Sequence, residues 1–222
     1  MRDAAALLFD FGGTLDAPGV PWKERFHRTY REEGLEVAPE RFDPAFYASC
    51  DSMIGTIPRD TTFTGTVQEV ARRLARNLGL GEGVGDRTGA RFLPEARAHL
   101  AESAALLAGL SSRYRLGIVS NFYGNLEAVC RETGLCDSVG VMVDSTDVGC
   151  LKPDPRIFLR ALDALGAGPS QAVFVGDSLH RDMAGARALG MPHILLAGEG
   201  APTCCPGDLR IARLSELREI IP

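Results

Sequence analysis

Four short polar segments carry the residue types that can handle a phosphoryl group. Three follow strand-like apolar runs and one precedes a helical pattern, and their leading residues are Asp10, Ser120, Lys152 and Asp177. A carboxylate such as Asp10 can attack phosphorus and form an acyl-phosphate, which divides hydrolysis into two easier steps. A lysine and a hydroxyl can hold the remaining phosphoryl oxygens and neutralise the developing charge. Together the segments predict phosphoryl chemistry centred on Asp10.

Two of these residues also predict a metal ion. Asp10 and Asp177 offer carboxylate oxygens, the ligands that a hard cation such as magnesium prefers. Such an ion also screens the repulsion between Asp10 and an anionic substrate. Taken singly, each segment has an ordinary structural explanation, because an Asp at the end of a strand often forms a turn or caps a helix. The functional interpretation therefore depends on the segments meeting at one place.

The apolar runs along the chain predict a parallel sheet. Runs of strand length occur at residues 5–9, 116–119, 139–143, 172–175 and 193–196. Their hydrophobicity is continuous, which is typical of strands buried on both faces. Helical patterns separate the later runs, at residues 126–133, 154–165 and 181–189. We predict a doubly wound, mostly parallel, Rossmann-like α/β domain, with the four segments at the carboxyl edge of its sheet.

One interval is too long for a single crossover connection. Roughly a hundred residues separate the first predicted strand from the second, whereas connections in compact domains are usually far shorter. Trp22, Phe26 and Tyr30 recur there at helical spacing, as do later apolar residues. The pattern predicts a helical-bundle cap domain over residues 17–93. The core domain would then comprise residues 1–16 and 94–222, with Pro94 beginning a core helix.

Composition limits the partners and the compartment. The 222 residues carry a formal net charge of −5, which gives no basic field for nucleic acid or for an anionic membrane. No stretch approaches the ~18 apolar residues of a membrane span, and the N-terminus lacks the pattern of a signal peptide. We therefore expect a cytoplasmic protein with reduced thiols, including the adjacent Cys204 and Cys205. Nothing in the composition specifies an oligomeric state.

The four segments, in this order, resemble the motifs of the haloacid dehalogenase superfamily of hydrolases. The third segment reads LKPDP from Leu151, and the fourth reads VGDS from Val175, with Asp182 five residues beyond Asp177. The resemblance covers essentially the whole chain, including a helical cap after the first strand. It implies a phosphatase-like member of the superfamily.

The resemblance implies roles in handling the phosphoryl group. Asp10 matches the nucleophile, and Lys152 matches the cation that orients the nucleophile and the phosphate. Ser120, with Asn121 beside it, matches the hydroxyl that binds the transferred group. Thr14 matches the small hydroxyl residue that braces the loop after the nucleophile, and we include it in the phosphate-binding set.

The resemblance also implies a magnesium site. Asp10, Asp177 and the main-chain carbonyl of Gly12 match the ligands of the ion. Asp182 matches a second acidic residue of the fourth motif, which binds the metal through water or pairs with Lys152. The implied cofactor is Mg²⁺, and the implied partner is a small phosphorylated metabolite.

The sequence departs from the family pattern at Gly12. In the phosphatases of this family the first motif reads Asp-x-Asp, and its second carboxylate protonates the leaving group and later activates water. Glycine has no side chain for that task, and acid–base assistance is typically worth about 10²–10⁴ in rate. A phosphatase would then act on an ester with a good leaving group, or would borrow an acid such as Asp16 or His27.

Two other hypotheses remain open. The protein hydrolyses another kind of bond, or it binds a phosphorylated ligand without efficient turnover. The 2-haloacid dehalogenases lack magnesium and have a different fourth motif. The phosphonoacetaldehyde hydrolases need a cap lysine for a Schiff base, and the only lysine of the predicted cap, Lys23, comes early in the chain. We expect His180 to have a supporting or surface role. An aspartyl-phosphate mechanism is our first preference.

Overall fold

A parallel sheet forms the centre of the molecule. The computed structural model describes residues 4–198 and 209–221, so Cys204 and Cys205 lie outside the described residues. Within these ranges the sheet has six strands: β1 (Ala6–Phe9), β2 (Arg115–Ser120), β3 (Val141–Asp144), β4 (Ala172–Gly176), β5 (His193–Leu196) and β6 (Leu209–Ile211). Their order is β3-β2-β1-β4-β5-β6, and every neighbouring pair is parallel. This confirms the predicted doubly wound α/β class.

The central strand shows why the apolar runs are continuous. Each residue of β1 is fully buried, and alternate side chains enter different cores. Leu7 and Phe9 pack into the core that extends toward the inserted helices, whereas Ala6 and Leu8 pack into the core on the other face. A strand covered on both faces cannot alternate between apolar and polar residues. The sequence pattern of β1 therefore follows from its central place.

Helices cover both faces of the sheet. In chain order they are α1 (Trp22–Glu32), α2 (Pro39–Met53), α3 (Phe63–Asn77), α4 (Glu82–Leu110), α5 (Leu126–Glu132), α6 (Ser145–Val148), α7 (Pro155–Leu165), α8 (Ala184–Ala188) and α9 (Leu217–Ile220). The predicted helices at residues 126–133 and 154–165 match α5 and α7. The predicted helix at residues 181–189 is instead a π-helical turn, Leu179–Met183, followed by α8. No helix in the described ranges is long and apolar enough to cross a membrane.

The inserted helices do not end where the sequence pattern predicted. Helix α4 is continuous over 29 residues and contains Pro94 in its interior, so the prediction that a helix begins at Pro94 was wrong. Proline removes one backbone hydrogen bond of a helix, but packing against α1 and α3 supports the turns on the N-terminal side. Farther along, the Ser103 hydroxyl donates to the Leu15 carbonyl oxygen at 2.7 Å. One helix thus joins the inserted bundle to the loop that follows β1.

Candidate active site

The site lies where the winding direction of the sheet reverses. Strand β1 lies between β2 and β4, and Asp10 and Asp177 directly follow β1 and β4. Ligands of open α/β sheets bind at the carboxyl ends of the strands beside such a reversal. The Ser120 hydroxyl, at the end of β2, donates to Asp10 Oδ1 at 3.2 Å. The topology therefore brings three of the four predicted segments together.

Lys152 completes the charged centre. Its Nζ donates to Asp10 Oδ1 and to Asp182 Oδ1, each at 2.6 Å, and its side chain is almost fully buried. Burial alone would lower the pKa of Lys152, but the charges of Asp10 and Asp182 outweigh it and raise that pKa. The ammonium group is therefore held as a permanent cation between two carboxylates. Asp182 thus pairs with Lys152, which is one of the two roles predicted for it.

The carboxylates of this centre fit a divalent cation. Oxygen atoms of Asp10, Asp177 and Asp182 all lie within 4.8 Å of one another. Burial, and then the neighbouring charge of Asp10, raise the pKa of Asp177 well above its ordinary value. Burial also raises the pKa of Asp182, to about 6, although Lys152 opposes the change. One lysine does not balance three close carboxylates, and a hard cation with oxygen ligands would supply the missing positive charge.

Two residues predicted to bind phosphate have other partners. The Thr14 hydroxyl donates to Asp177 Oδ1 at 3.2 Å. The Asn121 side chain accepts from the Lys152 main-chain N–H at 2.7 Å and donates to the Lys152 carbonyl oxygen at 3.2 Å. These contacts favour bracing roles: Thr14 orients a predicted metal ligand, and Asn121 fixes the backbone that carries the lysine. Direct phosphate binding by either side chain stays a prediction.

Close backbone approach explains two glycines of the site. Gly13 has a φ of 93°, and a Cβ atom placed there would lie 2.4 Å from Asp177 Oδ2. At Gly176 a Cβ atom would lie 2.4 Å from Asp182 Oδ2. Real Cβ atoms do not approach this closely, so any larger residue would displace a carboxylate. These glycines let the acidic side chains converge.

Gly12, the position of the absent carboxylate, faces an indole ring. A Cβ atom placed there would lie 3.3 Å from Trp22 Nε1. Trp22 is buried, and its Nε1 donates to Asp16 Oδ2 at 2.6 Å. The space beside Asp10 is therefore occupied by an anchored aromatic ring from the inserted helices.

The two proposed substitute acids do not reach this space. Asp16 is fully buried and accepts hydrogen bonds from the Gly13 N–H at 2.7 Å, from Trp22 Nε1 and from Arg25 Nη1 at 2.7 Å. His27 Nε2 is hydrogen-bonded to the Val37 carbonyl oxygen at 2.8 Å. Neither side chain is among those that line the active-site cavity. Both candidates have structural partners instead.

The active-site cavity has a volume of about 490 Å³ and lies between the sheet edge and the inserted helices. Asp10, Ser120, Lys152 and Asp177 form its floor. Sequence reasoning missed most of its walls, which depend on how the helices pack over the sheet: Tyr47, Cys50, Asp51, Ile54, Tyr123, Leu151 and Arg181. Among them, burial raises the pKa of the Cys50 thiol to about 11.

Lys23 and His180 also line this cavity. The early position of Lys23 in the chain therefore does not exclude it as a Schiff-base lysine, but its ion pairs disfavour that role. Lys23 Nζ lies 2.6 Å from Asp43 and 3.2 Å from Glu24, and the hydrogen bond to Asp43 raises the pKa of the lysine. A Schiff base requires a neutral amine, which calls for a lowered pKa. The structure thus disfavours the phosphonoacetaldehyde hydrolase hypothesis.

Known proteins resemble this chain in sequence and in structure. The phosphoserine phosphatase of Thermus thermophilus is 30% identical over 213 residues, which cover 90% of this chain and 80% of that enzyme. The haloacid dehalogenase-like hydrolase domain-containing protein 3 of Bos taurus is 41% identical over 95 residues, which cover 42% of this chain but only 38% of that protein. The solved structure of a HAD phosphatase from Thermococcus onnurineus matches over 97% of this chain and 97% of that chain, with 26% identity and a TM-score of 0.62.

A family profile described as haloacid dehalogenase-like hydrolase matches residues 4–190. This span contains all four site segments and strands β1 to β4, which position them. The family profile, the doubly wound sheet and the solved phosphatase agree with the resemblance predicted from the motifs. The chain belongs to the haloacid dehalogenase-like hydrolases.

Proposed function

We propose that this hydrolase is a magnesium-dependent phosphatase of a small phosphorylated compound, acting through an aspartyl-phosphate on Asp10. The observation that supports this most is the division of the Asp10 carboxylate. Both Ser120 Oγ and Lys152 Nζ donate to Oδ1, and no described residue donates a hydrogen bond to Oδ2. One oxygen is thus held in place while the other is available to attack a group in the cavity.

The reaction would proceed in two steps. Asp10 Oδ2 attacks phosphorus, and the bond from phosphorus to the leaving oxygen breaks with its electron pair on that oxygen. Water then attacks phosphorus, releases inorganic phosphate and restores the carboxylate. Lys152 and Ser120 would hold the equatorial oxygens during both steps. Asp10, Asp177 and the Gly12 carbonyl would hold Mg²⁺, which supplies the charge that offsets repulsion between the carboxylates and the substrate.

The inserted helices would serve as a cap domain. Lys23, Tyr47 and Asp51 belong to this part of the chain and line the cavity opposite Asp10. A cover over the site limits the access of water to the aspartyl-phosphate and selects the substrate. The phosphatase name of the Thermus thermophilus relative supports the same reaction class.

Phosphate release from 4-nitrophenyl phosphate tests the proposal. We expect turnover that requires Mg²⁺, is lost on chelation and is abolished by Asp10→Asn. Asp163→Asn, an exposed substitution on α7, is the matched control and should leave turnover unchanged. Turnover that persists in Asp10→Asn, or that is indifferent to chelation, would contradict the mechanism. Halide release from a 2-haloacid without phosphate release would favour dehalogenation instead.

A further inference from the structure

Neither of two positions close to Asp10 offers a carboxylic acid to the leaving group. Gly12 has no side chain, and the adjacent space holds the Trp22 indole. The nearby carboxylate of Asp16 is fully buried and already accepts three hydrogen bonds. A leaving oxygen bound next to Asp10 therefore departs without a proton from either position.

Departure without a proton favours one class of ester. A phenolic oxygen has a pKa of about 10, as tyrosine does, whereas a hydroxyl of the water type has a pKa near 15.7. Phenolate is therefore a far better leaving group than an alkoxide. Acid assistance, which is worth about 10²–10⁴ in rate, matters little for an aryl ester and greatly for an alkyl ester. The missing acid selects against alkyl phosphates.

The walls of the cavity are correspondingly aromatic. Five of its 21 lining residues are aromatic, whereas aromatic residues make up 7% of the chain. The Trp22, Phe122 and Tyr123 rings form a continuous series, with centroid separations of 6.2 Å and 4.9 Å. Aromatic rings bind a further ring by edge and offset contacts. The wall nearest the position of the absent acid is therefore suited to an arene.

The rim of the cavity is apolar and exposed. Tyr47, Ile54 and Leu151 all line it, with exposed fractions of 46%, 43% and 53%. They are three of the five large apolar side chains that are exposed among the described residues. Tyr47 lies on α2, Ile54 directly follows that helix, and Leu151 precedes Lys152, so the inserted segment and the core both contribute to the rim. Such a concentration at one opening indicates a binding surface.

On the basis of the phosphatase function proposed above, we infer that the site is built for aryl phosphates. The phosphoryl group binds at Asp10, Ser120 and Lys152, and the arene lies between the aromatic wall and the apolar rim. The cavity volume of about 490 Å³ lies within the ~300–1,000 Å³ of pockets that enclose drug-sized ligands. A ring attached directly to the phosphoryl oxygen satisfies both the chemistry of departure and the shape of the walls.

The first step balances without an enzymic acid. Asp10 Oδ2 forms a bond to phosphorus, and the bond from phosphorus to the aryl oxygen breaks with its electron pair on that oxygen. The product is a phenolate, which takes a proton from solvent. Hydrolysis of the aspartyl-phosphate then consumes one water molecule, returns the Asp10 carboxylate and releases inorganic phosphate, with the excess proton passing to solvent.

Four phosphate substrates distinguish the effect of the leaving group from the effect of the ring. Phenyl phosphate has both a ring and a good leaving group, and 2-phenylethyl phosphate has the ring with an alkoxide leaving group. Acetyl phosphate has a good leaving group without a ring, and ethyl phosphate has neither. We expect kcat to fall about 10²–10⁴-fold from phenyl to 2-phenylethyl phosphate. We expect KM to rise about tenfold from phenyl to acetyl phosphate, after subtraction of spontaneous hydrolysis.

Variants of the rim test the place of the ring. Tyr47→Ala and Leu151→Ala should raise KM several-fold for phenyl phosphate and leave KM for acetyl phosphate unchanged. Leu159→Ala is the matched control, because Leu159 is similarly exposed at 37% but lies on α7 outside the cavity lining. An equal change in KM for both substrates would contradict the assignment of the ring to the rim.

Substitution at Gly12 tests the missing acid. Gly12→Asp should raise the rate with 2-phenylethyl phosphate far more than the rate with phenyl phosphate. Gly12→Ala, which makes the same Cβ contact with Trp22 without an acid, should not. Equal turnover of phenyl and 2-phenylethyl phosphate in the wild type would overturn the inference while leaving the phosphatase proposal intact. If turnover of 2-phenylethyl phosphate were then lost in His180→Gln, His180 would be identified as the acid. If none of the four compounds were hydrolysed, the phosphatase proposal itself would be contradicted.

Discussion

Two buried aspartates, six residues apart in one loop, both form an ion pair but differ in their access to the cavity and in their hydrogen-bond donors. Asp10 pairs with Lys152, and Asp16 pairs with Arg25, in each case at 2.6–2.7 Å. Asp10 lines the cavity, shares its cation with Asp182 and keeps one oxygen without a donor among the described residues. Asp16 lies outside the cavity and uses both oxygens for donors from the loop, Trp22 and Arg25. Burial and an ion pair therefore do not distinguish a reactive carboxylate from a structural one, but an accessible oxygen does.

The difference extends to the partner cations. Lys152 forms ion pairs with both Asp10 and Asp182, so one counter-ion remains if the other carboxylate is removed. Arg25 is fully buried, its only carboxylate partner in the described ranges is Asp16, and its guanidinium lies 4.0 Å from the centre of the Phe92 ring. Loss of Asp10 should therefore affect the chemistry, and loss of Asp16 should affect folding.

Asp10→Asn should produce the largest effect of any variant considered. We expect turnover to fall about 10⁴-fold or more, because the proposed nucleophile is removed. The free energy of unfolding should change by about 1 kcal/mol or less, since Lys152 still pairs with Asp182. Phosphate release and urea unfolding, measured on the same preparation, give the two readouts. A large loss of stability would mean that Asp10 is also a structural anchor.

Asp16→Asn should reverse this pattern. It leaves the Arg25 charge buried without a counter-ion, for which the typical cost is about 3–5 kcal/mol. Urea unfolding should show the loss, while turnover per folded molecule should fall less than tenfold. The exposed Asp163→Asn serves as the control for stability. Unchanged stability combined with a loss of turnover as large as that of Asp10→Asn would make Asp16 a catalytic residue after all.

The sequence predicted the sheet better than it predicted the walls of the site. Continuous apolar runs identified five strands, and the rule for reversal points then placed Asp10, Ser120 and Asp177 at one edge. Strand β6 was missed because it has three residues, two of them exposed. Two sequence patterns gave the wrong local detail. Residues 181–189 were predicted as one helix, but the structure has a π-helical turn followed by α8. Pro94 was predicted to begin a helix but lies inside α4, where contacts with other helices outweigh its missing hydrogen bond.

The polar partners of the site depend on tertiary contacts that spacing does not contain. Asp16 has the right residue type and lies near the nucleophile, yet Trp22 and Arg25 of the first inserted helix enclose it. Tyr123 and Arg181 share the lining of the cavity with Tyr47 and Asp51 of α2. Residues on different elements, without a shared motif, could not be assigned to one cavity from their positions in the chain.

Trp22→Phe sharpens the comparison by removing one donor to Asp16. The substitution deletes the Nε1–H that lies 2.6 Å from Asp16 Oδ2 but keeps an aromatic ring among Phe26, Phe63, Phe92 and Phe122. A hydrogen bond to a charged group typically contributes about 1.5–3 kcal/mol, so the loss should be smaller than in Asp16→Asn. Urea unfolding measures it. A variant as stable as the wild type would show that the indole donor does not help to hold Asp16.

Asp177→Asn should have a small effect on stability, opposite in sign to that of Asp16→Asn. Because burial and the charge of Asp10 raise the pKa of Asp177 in the metal-free protein, the folded chain keeps a proton that the unfolded chain has released between the ordinary pKa and the raised one. Stability due to this group therefore falls as pH rises through that window. Without Mg²⁺, Asn should raise Tm by about 2–4 °C, the shift that about 1 kcal/mol produces in a chain of this length.

The same variant distinguishes charge repulsion from simple packing. The gain in Tm should be larger at pH 8 than at pH 5, because more of the wild-type carboxylate is ionised at pH 8. Added Mg²⁺ should then stabilise the wild type, whose carboxylate it binds, and stabilise Asp177→Asn much less. Thermal unfolding at two pH values, with and without Mg²⁺, makes the comparison. A gain that is equal at both pH values would place its origin in the shape of the side chain, and Asp177 would then resemble Asp16 more than Asp10.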